Sequence, residues 1–272
     1  MKSPNPTSGS TTENVRPIRS VHRALDVLET LVERGPAGLH QLHSATGLSK
    51  STLRRLLATL VHRRFVRQGI SDGMYRSNVA TPRGIETELT VRIGRLVEVA
   101  RPHMLALTQQ VRWPSDLHIY ANGRMRILES THGLSPFGRS SGFTVDAELN
   151  LFAAASGLAF LASRPDEFAL RLANELESDE FWSMSRFGLT PSRLVAELRK
   201  IRRAGFATRR VTQGRQDGSN AIAVTIAEGD SSVGALTISW RRQSMSAEEF
   251  AAEHLAALQS TASAISDALA ND

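Results

Sequence analysis

The stretch that most constrains this chain is residues 39–63, LHQLHSATGLSKSTLRRLLATLVHR. It reads as a short helix, a tight turn at Ala45-Thr46-Gly47-Leu48, and a second helix for which Ser49 is placed as the N-cap. Leu53, Leu56, Leu57, Leu60 and Val61 then recur at the spacing of one buried helical face. The opposite face carries Lys50, Ser51, Arg54, Arg55 and His62. Two short helices cannot bury enough surface alone, so a third must cover them. Ser20 can cap such a helix, running to about Arg34 with Val21, Ala24, Leu25, Leu28, Leu31 and Val32 inward, and Gly35-Pro36 ends it.

After the second helix come two short β-prone runs, Phe65-Val66-Arg67-Gln68 and Met74-Tyr75-Arg76, around a loop containing Asp72-Gly73, a hairpin signal. Helix, turn, helix and hairpin make a winged helix-turn-helix over residues 18–80, preceded by a Ser/Thr/Pro-rich disordered arm at 1–17. The basic helix face could be plain solvated surface, but the charge distribution favours a polyanion. Residues 1–80 carry 12 Lys and Arg against 5 Asp and Glu, whereas residues 81–272 carry 21 against 22. Double-stranded DNA is therefore the expected partner. Ser49, Lys50, Ser51, Thr52, Arg54 and Arg55 are the expected contacts on the recognition helix, the hydroxyls mainly on phosphates and one arginine on a guanine. Arg67 on the wing and Arg23 on the first helix are expected to add phosphate contacts.

A further helical pattern starts at Thr81-Pro82 and runs to residue 100, with Ile85, Leu89, Ile93, Leu96 and Val97 in phase. This linker helix can pack either on a second copy of the chain or on the domain that follows. Residues 101–272 alternate helices and strands. Helix 103–112 ends at Trp113-Pro114, and strands 116–121 and 124–130 flank Asn122-Gly123. A helix of small residues spans 150–163, and another spans 191–205. Strands 206–212, 220–227 and 232–240 follow, and a helix over 246–269 opens on the capping box Ser246-Ala-Glu-Glu249. That order predicts an α+β domain with a mixed or antiparallel sheet.

Enzyme signatures are missing. Phe152-Ala-Ala-Ala-Ser156-Gly lacks the first glycine of a nucleophile elbow, and neither a P-loop nor a dinucleotide fingerprint occurs. His40 and His43 are three apart on one helix without further ligands at metal-site spacing, so neither metal nor cofactor is expected. With no cysteine, no apolar run of membrane-spanning length and no signal-peptide core, the expectation is a cytoplasmic protein without membrane contact.

Three segments, Ser20-Val-His-Arg-Ala-Leu-Asp-Val-Leu28, Gly47-Leu-Ser-Lys-Ser-Thr-Leu-Arg-Arg-Leu-Leu57 and Gly73-Met-Tyr-Arg-Ser77, resemble the isocitrate-lyase-regulator (IclR) family of bacterial transcription factors. The Ala-Ala-Ala-Ser-Gly-Leu-Ala-Phe-Leu run at 153–161 does too, and the resemblance covers roughly residues 16–270. Trp113-Pro-Ser-Asp116 and the ending Met245-Ser-Ala-Glu with His254-Leu-Ala-Ala-Leu258 look most like activators of hydroxyphenylpropionate catabolism and their relatives in aromatic-acid degradation. The resemblance implies a GAF-like effector-binding domain at 101–272 and a homodimer or homotetramer that binds a palindromic operator and touches RNA polymerase. It also implies a small organic acid effector lined by Leu149, Ala155, Ser156, Asp217, Ala221, Thr237 and Ser239. Asn150 stands where a proline is usual in the family, and Leu158 where many members have lysine. Helix-start amides favour a carboxylate, and Thr237 and Ser239 share one strand face, although small residues also simply pack helix on sheet. A repressor answering an aliphatic carboxylate, or a sensor or enzyme with a protein-binding N-terminal domain, are the alternatives.

Overall fold

The N-terminal core forms where α1 (Arg19–Arg34), α2 (Leu39–Thr46) and α3 (Lys50–His62) meet the hairpin of β1 (Val66–Gln68) and β2 (Tyr75–Ser77). The protein is described by a computed structural model over residues 18–79, 87–138, 144–210 and 218–271. The expected arm at 1–17, the start of the linker helix and Asp217 lie outside those residues. Leu28, Leu31, Leu42, Leu53, Leu57 and Val66 are all buried in this core. Gly47 ends α2 in the left-handed region at φ +69°, and Ser49 caps α3 by accepting from the Thr52 amide at 3.2 Å.

The first helix differs from expectation. Ile18 occupies the cap position and Ser20 lies inside the helix. Its buried residues are Val27, Leu28 and Leu31, all in the second half where α2 and β2 pack, while Val21 and Leu25 face solvent. A helix covered at one end buries only that end.

The next helix, α4 (Thr87–Val111), runs straight through Pro102, where a break was expected. Ile93, Leu96, Val97, Ala100, Met104, Leu107 and Val111 stay in phase along it and are buried in one cluster. Continuous packing of that stripe outweighs the ~3 kcal/mol that an interior proline costs. Of the two possible partners, its stripe packs on its own chain, against α8 (Ala247–Asn271) and the sheet.

Among the described residues the sheet has six strands in the order β5-β4-β3-β8-β7-β6, with every neighbour antiparallel. These are β3 (Ser115–Ala121), β4 (Arg124–Ser130), β5 (Glu148–Leu149), β6 (Ala207–Thr208), β7 (Ser219–Glu228) and β8 (Ser231–Arg241). Asn122 and Gly123 both take positive φ, 50° and 76°, as a two-residue hairpin turn of the primed type requires. Helices α4 and α8 cover one face, and α5 (Ala155–Ala162), α6 (Asp166–Glu175) and α7 (Pro191–Ala204) pack in the core on the other. The capping box forms at the start of α8, with the Ser246 amide donating to Glu249 Oε2 at 2.9 Å and the Glu249 amide to Ser246 Oγ at 3.2 Å. The small-residue helix begins five residues later than expected, because Leu151 and Phe152 are buried in a turn before it. Gly157 allows that turn to close, since a Cβ there would lie 2.5 Å from Leu151.

Strand alternation decides what the two sheet faces hold. On β3, Leu117 and Ile119 enter the core under α4 and α8. Asp116, His118 and Tyr120 turn to the other face.

Candidate functional site

On α3 the apolar face is consumed by the core, which leaves the basic face outward. Lys50, Ser51, Arg54 and Arg55 are exposed, and no ion pair among the described residues draws in Lys50, Arg54 or Arg55. Ser49 also bonds the hydroxyls of Ser51 and Thr52, each at 2.9 Å. It is therefore occupied as a cap, with Thr52 half-buried beside it. Arg23 is exposed on α1. His43 is structural, its Nδ1 lying 2.7 Å from Leu48 O and tying α2 to the turn.

The wing is another matter. Arg67, expected on a phosphate, is buried; it donates to Asn78 Oδ1 at 2.8 Å and to Ser77 O at 3.3 Å. Burial, reinforced by neighbouring Arg76, lowers its pKa to about 10. In this conformation its guanidinium is turned into the protein and bonded there, rather than presented to a phosphate as expected. Arg76 is buried as well, bonded to Asp72 at 2.7 Å and to Asp146 of the C-terminal half at 2.9 Å. Burial opposes ionisation of Asp72, but hydrogen bonds from Arg76 and the Met74 amide prevail and hold its carboxyl below the usual range. Close by, Glu129 on β4 is 1% exposed, pairs with Arg101 of α4 at 3.0 Å, and accepts the Ile70 amide of the wing at 3.1 Å. Arg101 also donates to the Gln68 carbonyl. Gly94 lets α4 lie against Asn78, where a Cβ would meet the Asn78 Cβ at 2.7 Å. Arginines 67, 76 and 101 thus face Asp72, Glu129 and Asp146 in a charge-balanced cluster that fastens the wing to the C-terminal half.

Beyond this cluster, between the sheet and α5, lies a cavity of about 720 Å³, within the range of small-molecule sites. Leu149, Ala155, Ser156, Ala221, Thr237 and Ser239, named from the sequence, all line it. So do residues that the sequence reading missed. His118 and Ser156 are almost fully buried, and His118 Nδ1 and Ser156 Oγ have no hydrogen-bond partner among the described residues. His118 Nε2 stands 3.3 Å from Thr237 Oγ1, and burial lowers its pKa to about 4, with Asp116 working the other way. The imidazole is neutral at physiological pH. His132 Nε2 lies 3.6 Å from Asp116 Oδ2 and 3.4 Å from Ser239 Oγ. Although desolvation pushes the Asp116 pKa up, hydrogen bonding and charge from His132 outweigh it and keep the carboxylate ionised. The strand alternates Asp116-Leu-His118-Ile, and once β3 lies inside a sheet covered on both faces its polar side must be satisfied by something.

Toward solvent the lining changes to aromatic and cationic. Trp182, Phe187, Arg186, Arg209 and Arg210 surround the mouth. Arg124 stacks 4.2 Å above Trp182 and pairs with Glu148. Asn150, at its unusual position for the family pattern, bridges the rim by donating to Phe181 O at 3.0 Å and accepting from the Phe152 amide at 2.8 Å. Among the described residues no group of three or more His, Cys, Asp or Glu could hold a metal. No helix there is long and apolar enough to cross a membrane.

Comparison with protein families agrees with both halves. The IclR helix-turn-helix domain matches residues 20–69, and the C-terminal domain of the bacterial transcriptional regulator IclR matches residues 90–267. The chain belongs to the IclR family. It is a ligand-responsive DNA-binding regulator of transcription in which an N-terminal helix-turn-helix domain precedes an α+β domain. Solved IclR-type structures share the fold across nearly the whole length. A transcriptional-regulator structure from Rhodococcus sp. RHA1 is 24% identical, with 94% of this chain and 99% of that one covered at a TM-score of 0.54. An IclR homologue from Microbacterium hydrocarbonoxydans, solved with 4-hydroxybenzoate, is 22% identical, with 93% and 100% covered at 0.53. Another homologue, from Microbacterium sp. strain HM58-2, is 23% identical, with 94% and 99% covered at 0.52. In this IclR-family chain the exposed face of α3 is the candidate DNA-facing surface and the cavity under α5 the candidate effector site.

Proposed function

We propose that this regulator controls an operon for aromatic-acid catabolism, and that an aromatic carboxylate in the cavity governs how the wing is held. The observation that carries the reading is continuity between cavity wall and wing clamp. On β4 and the turn after it, Ile127 lines the cavity, Glu129 holds the wing, and His132 lines the cavity again. On the neighbouring segment Asp146 holds Arg76, its amide donates to Ile127 O at 2.8 Å, and Glu148 and Leu149 line the cavity. A guest that moves either segment moves the carboxylates that fix the wing. This gives the effector two arrangements to discriminate, which is what linkage between two sites requires.

An aromatic acid suits the mouth, where Trp182 and Phe187 offer faces and the arginines offer charge. The relative that binds 4-hydroxybenzoate supports the class. Two copies would read a palindrome, because a dimer recognises half-site spacing and a shift of each wing changes that spacing. Lys50, Ser51, Thr52, Arg54 and Arg55, with Arg23, are the proposed DNA contacts, and Ser49 serves them as the cap.

The test is selection of duplexes from a random-sequence library by the full-length chain, followed by titration of the enriched duplex with and without 4-hydroxybenzoate. A palindromic consensus whose affinity shifts with the acid is expected. Enrichment of no sequence overturns the operator reading. A consensus indifferent to every aromatic acid in a panel overturns the effector class.

A further inference from the structure

Resting on the reading that the cavity is the effector site, we propose that residues 177–182 form a flap that opens to pass the guest and is latched shut by Asn150 and Arg124. Both latch residues lie at the β4–β5 edge of the sheet, beside the Asp146 that holds the wing.

The segment follows α6 and is neither helix nor strand. Its two ends are fixed. Leu176 packs over Gly123, where an added Cβ would lie 3.6 Å from the leucine methyls, and Ser183 and Met184 are buried. Between these anchors Glu177, Ser178, Glu180 and Phe181 are exposed. Asp179 Oδ1 accepts the amides of Phe181 at 2.9 Å and Trp182 at 3.2 Å, so the middle holds its own turn and is free to move as one piece. Phe181 marks where this piece lies. It is 63% exposed and yet lines the cavity, as Trp182 does beside it. A side chain that meets both solvent and cavity stands on the boundary between them. His118, Ser156 and Thr237 line the same cavity and are almost fully buried, so a guest that touches them has crossed such a boundary. Phe181 also leaves apolar surface in water that a guest ring can cover.

Among the described residues two directed contacts tie the flap to the sheet. Asn150 Nδ2 donates to Phe181 O at 3.0 Å, while its Oδ1 accepts the Phe152 amide at 2.8 Å. The Arg124 guanidinium lies 4.2 Å from the Trp182 ring centre and pairs with Glu148. One exposed hydrogen bond and one cation–π stack are weak enough to break in local opening and strong enough to keep the closed form in the majority. Asp146, Glu148 and Asn150 alternate along one short segment, the first bonded to the wing and the other two to the latch. The wing clamp and the flap latch therefore share a backbone.

The chain has no cysteine, so Ser178→Cys gives a nitroxide one attachment point on the exposed side of the flap. The spin-label spectrum of the full-length chain reads flap mobility, and stopped flow reads the rate constants for 4-hydroxybenzoate. The acid should shrink the mobile component seen in the free chain. Asn150→Asp keeps the acceptor for the Phe152 amide and removes the donor to Phe181 O. It should raise the mobile-to-immobile ratio about fivefold, the worth of one net hydrogen bond. Arg124→Lys keeps a cation beside Glu148 and loses the planar stack on Trp182. Association and dissociation should both quicken by one factor, about threefold, with the dissociation constant unchanged. If neither variant raises mobility in the free chain, the latch is wrong whatever the cavity binds. If mobility rises while both rate constants stay at wild-type values, or if dissociation alone quickens in Arg124→Lys, the segment is not the passage and the gate falls. If neither 4-hydroxybenzoate nor another aromatic acid binds the wild-type chain, the effector class falls, and the free-chain spectra still decide the latch.

Discussion

The recognition helix and the wing carry the same residue type to opposite ends. Arg54 and Arg55 on α3 are exposed with no ion pair among the described residues, whereas Arg67 and Arg76 on the wing are buried and bonded. Both pairs contribute equally to the positive balance of the first 80 residues. The difference is set by carboxylates. Around Arg76 one comes from the hairpin loop, Asp72, and one from 70 residues further along the chain, Asp146. Among the described residues none pairs with Lys50, Arg54 or Arg55 on α3. Net charge therefore tells that a region favours a polyanion but not which side chains meet it; that depends on where the rest of the fold delivers its acids.

Removing Arg76 should give the largest effect in this comparison. Arg76→Ala strands Asp72 and Asp146 at the interface. Breaking a buried pair from one side costs about 3–5 kcal/mol. Because the two carboxylates keep about a third of their exposure, at 31% and 38%, roughly 2–4 kcal/mol is the discounted expectation. A urea midpoint unchanged from wild type would mean that the clamp holds nothing. Arg55→Ala, by contrast, should leave the midpoint within about 0.5 kcal/mol.

The cavity sharpens the contrast, because there a cation-former is buried beside an acid already engaged with His132, and gives up its charge. His118 has a folded pKa of about 4, below the ordinary 6.5, so the unfolded chain takes up this proton first. Stability from the neutral ring is complete above pH 6.5 and is lost as pH falls through that window toward 4. The loss is about 2 kcal/mol at pH 5 and about 3 kcal/mol at pH 4. Asp116, facing the ring from its own strand, already moderates the shift. Thr237 opposite it carries no charge. Asp72, whose carboxyl is held low, loses its contribution only at more acid pH, so the two effects separate. His118→Gln should flatten the dependence between pH 7 and pH 5 in denaturant titrations. An equal slope in that variant would place the acid sensitivity elsewhere.

Local pattern made the DNA-facing half and most of the sheet readable. The cap at Ser49, the hairpin at Asn122-Gly123 and the box at Ser246 each depend on residues a few positions apart, and all three formed as read. What escaped depended on distant partners. Pro102 promised a break, but packing along α4 overrode it. Val21 and Leu25 had the right spacing for a core, yet nothing covers that end of α1 among the described residues. Arg67 had the right charge for DNA, yet its partner Asn78 lies across the hairpin and the acids behind it belong to the other domain. Six cavity residues came from family likeness, whereas His118 and Asp116 needed the knowledge that both faces of β3 are covered.

Function divides the two regions in the reverse order to stability. On the selected operator, Arg55→Ala should lower affinity by about 1–3 kcal/mol if its guanidinium reads a base, and mostly at one position of each half-site. Wild-type affinity in that variant would remove α3 from the recognition role. Asp146→Asn keeps the shape of the clamp and removes its charge, at a cost of about 1 kcal/mol in stability once solvent screening is counted. Its sharper consequence is on coupling. Operator affinity without effector should change little, but the change produced by 4-hydroxybenzoate should shrink. If the effector response survives intact, the route through Arg76 is not the one used.

The smallest effect is also the cleanest discriminator between the regions. Each phosphate contact contributes about 0.9 to the slope of log affinity against log salt on duplex DNA. Lys50 is exposed at the first turn of the recognition helix, so Lys50→Gln should reduce that slope by about one. Arg67, 5% exposed and bonded within the wing, should leave the slope unchanged when replaced by glutamine, even if the variant is less stable. Measured below its unfolding midpoint, that variant separates charge that meets DNA from charge that holds the protein together. A drop of about one for Arg67→Gln would mean that the wing releases from the C-terminal half on binding. The clamp would then be a state of the free protein that DNA must open, and the effector would act by setting how easily it opens.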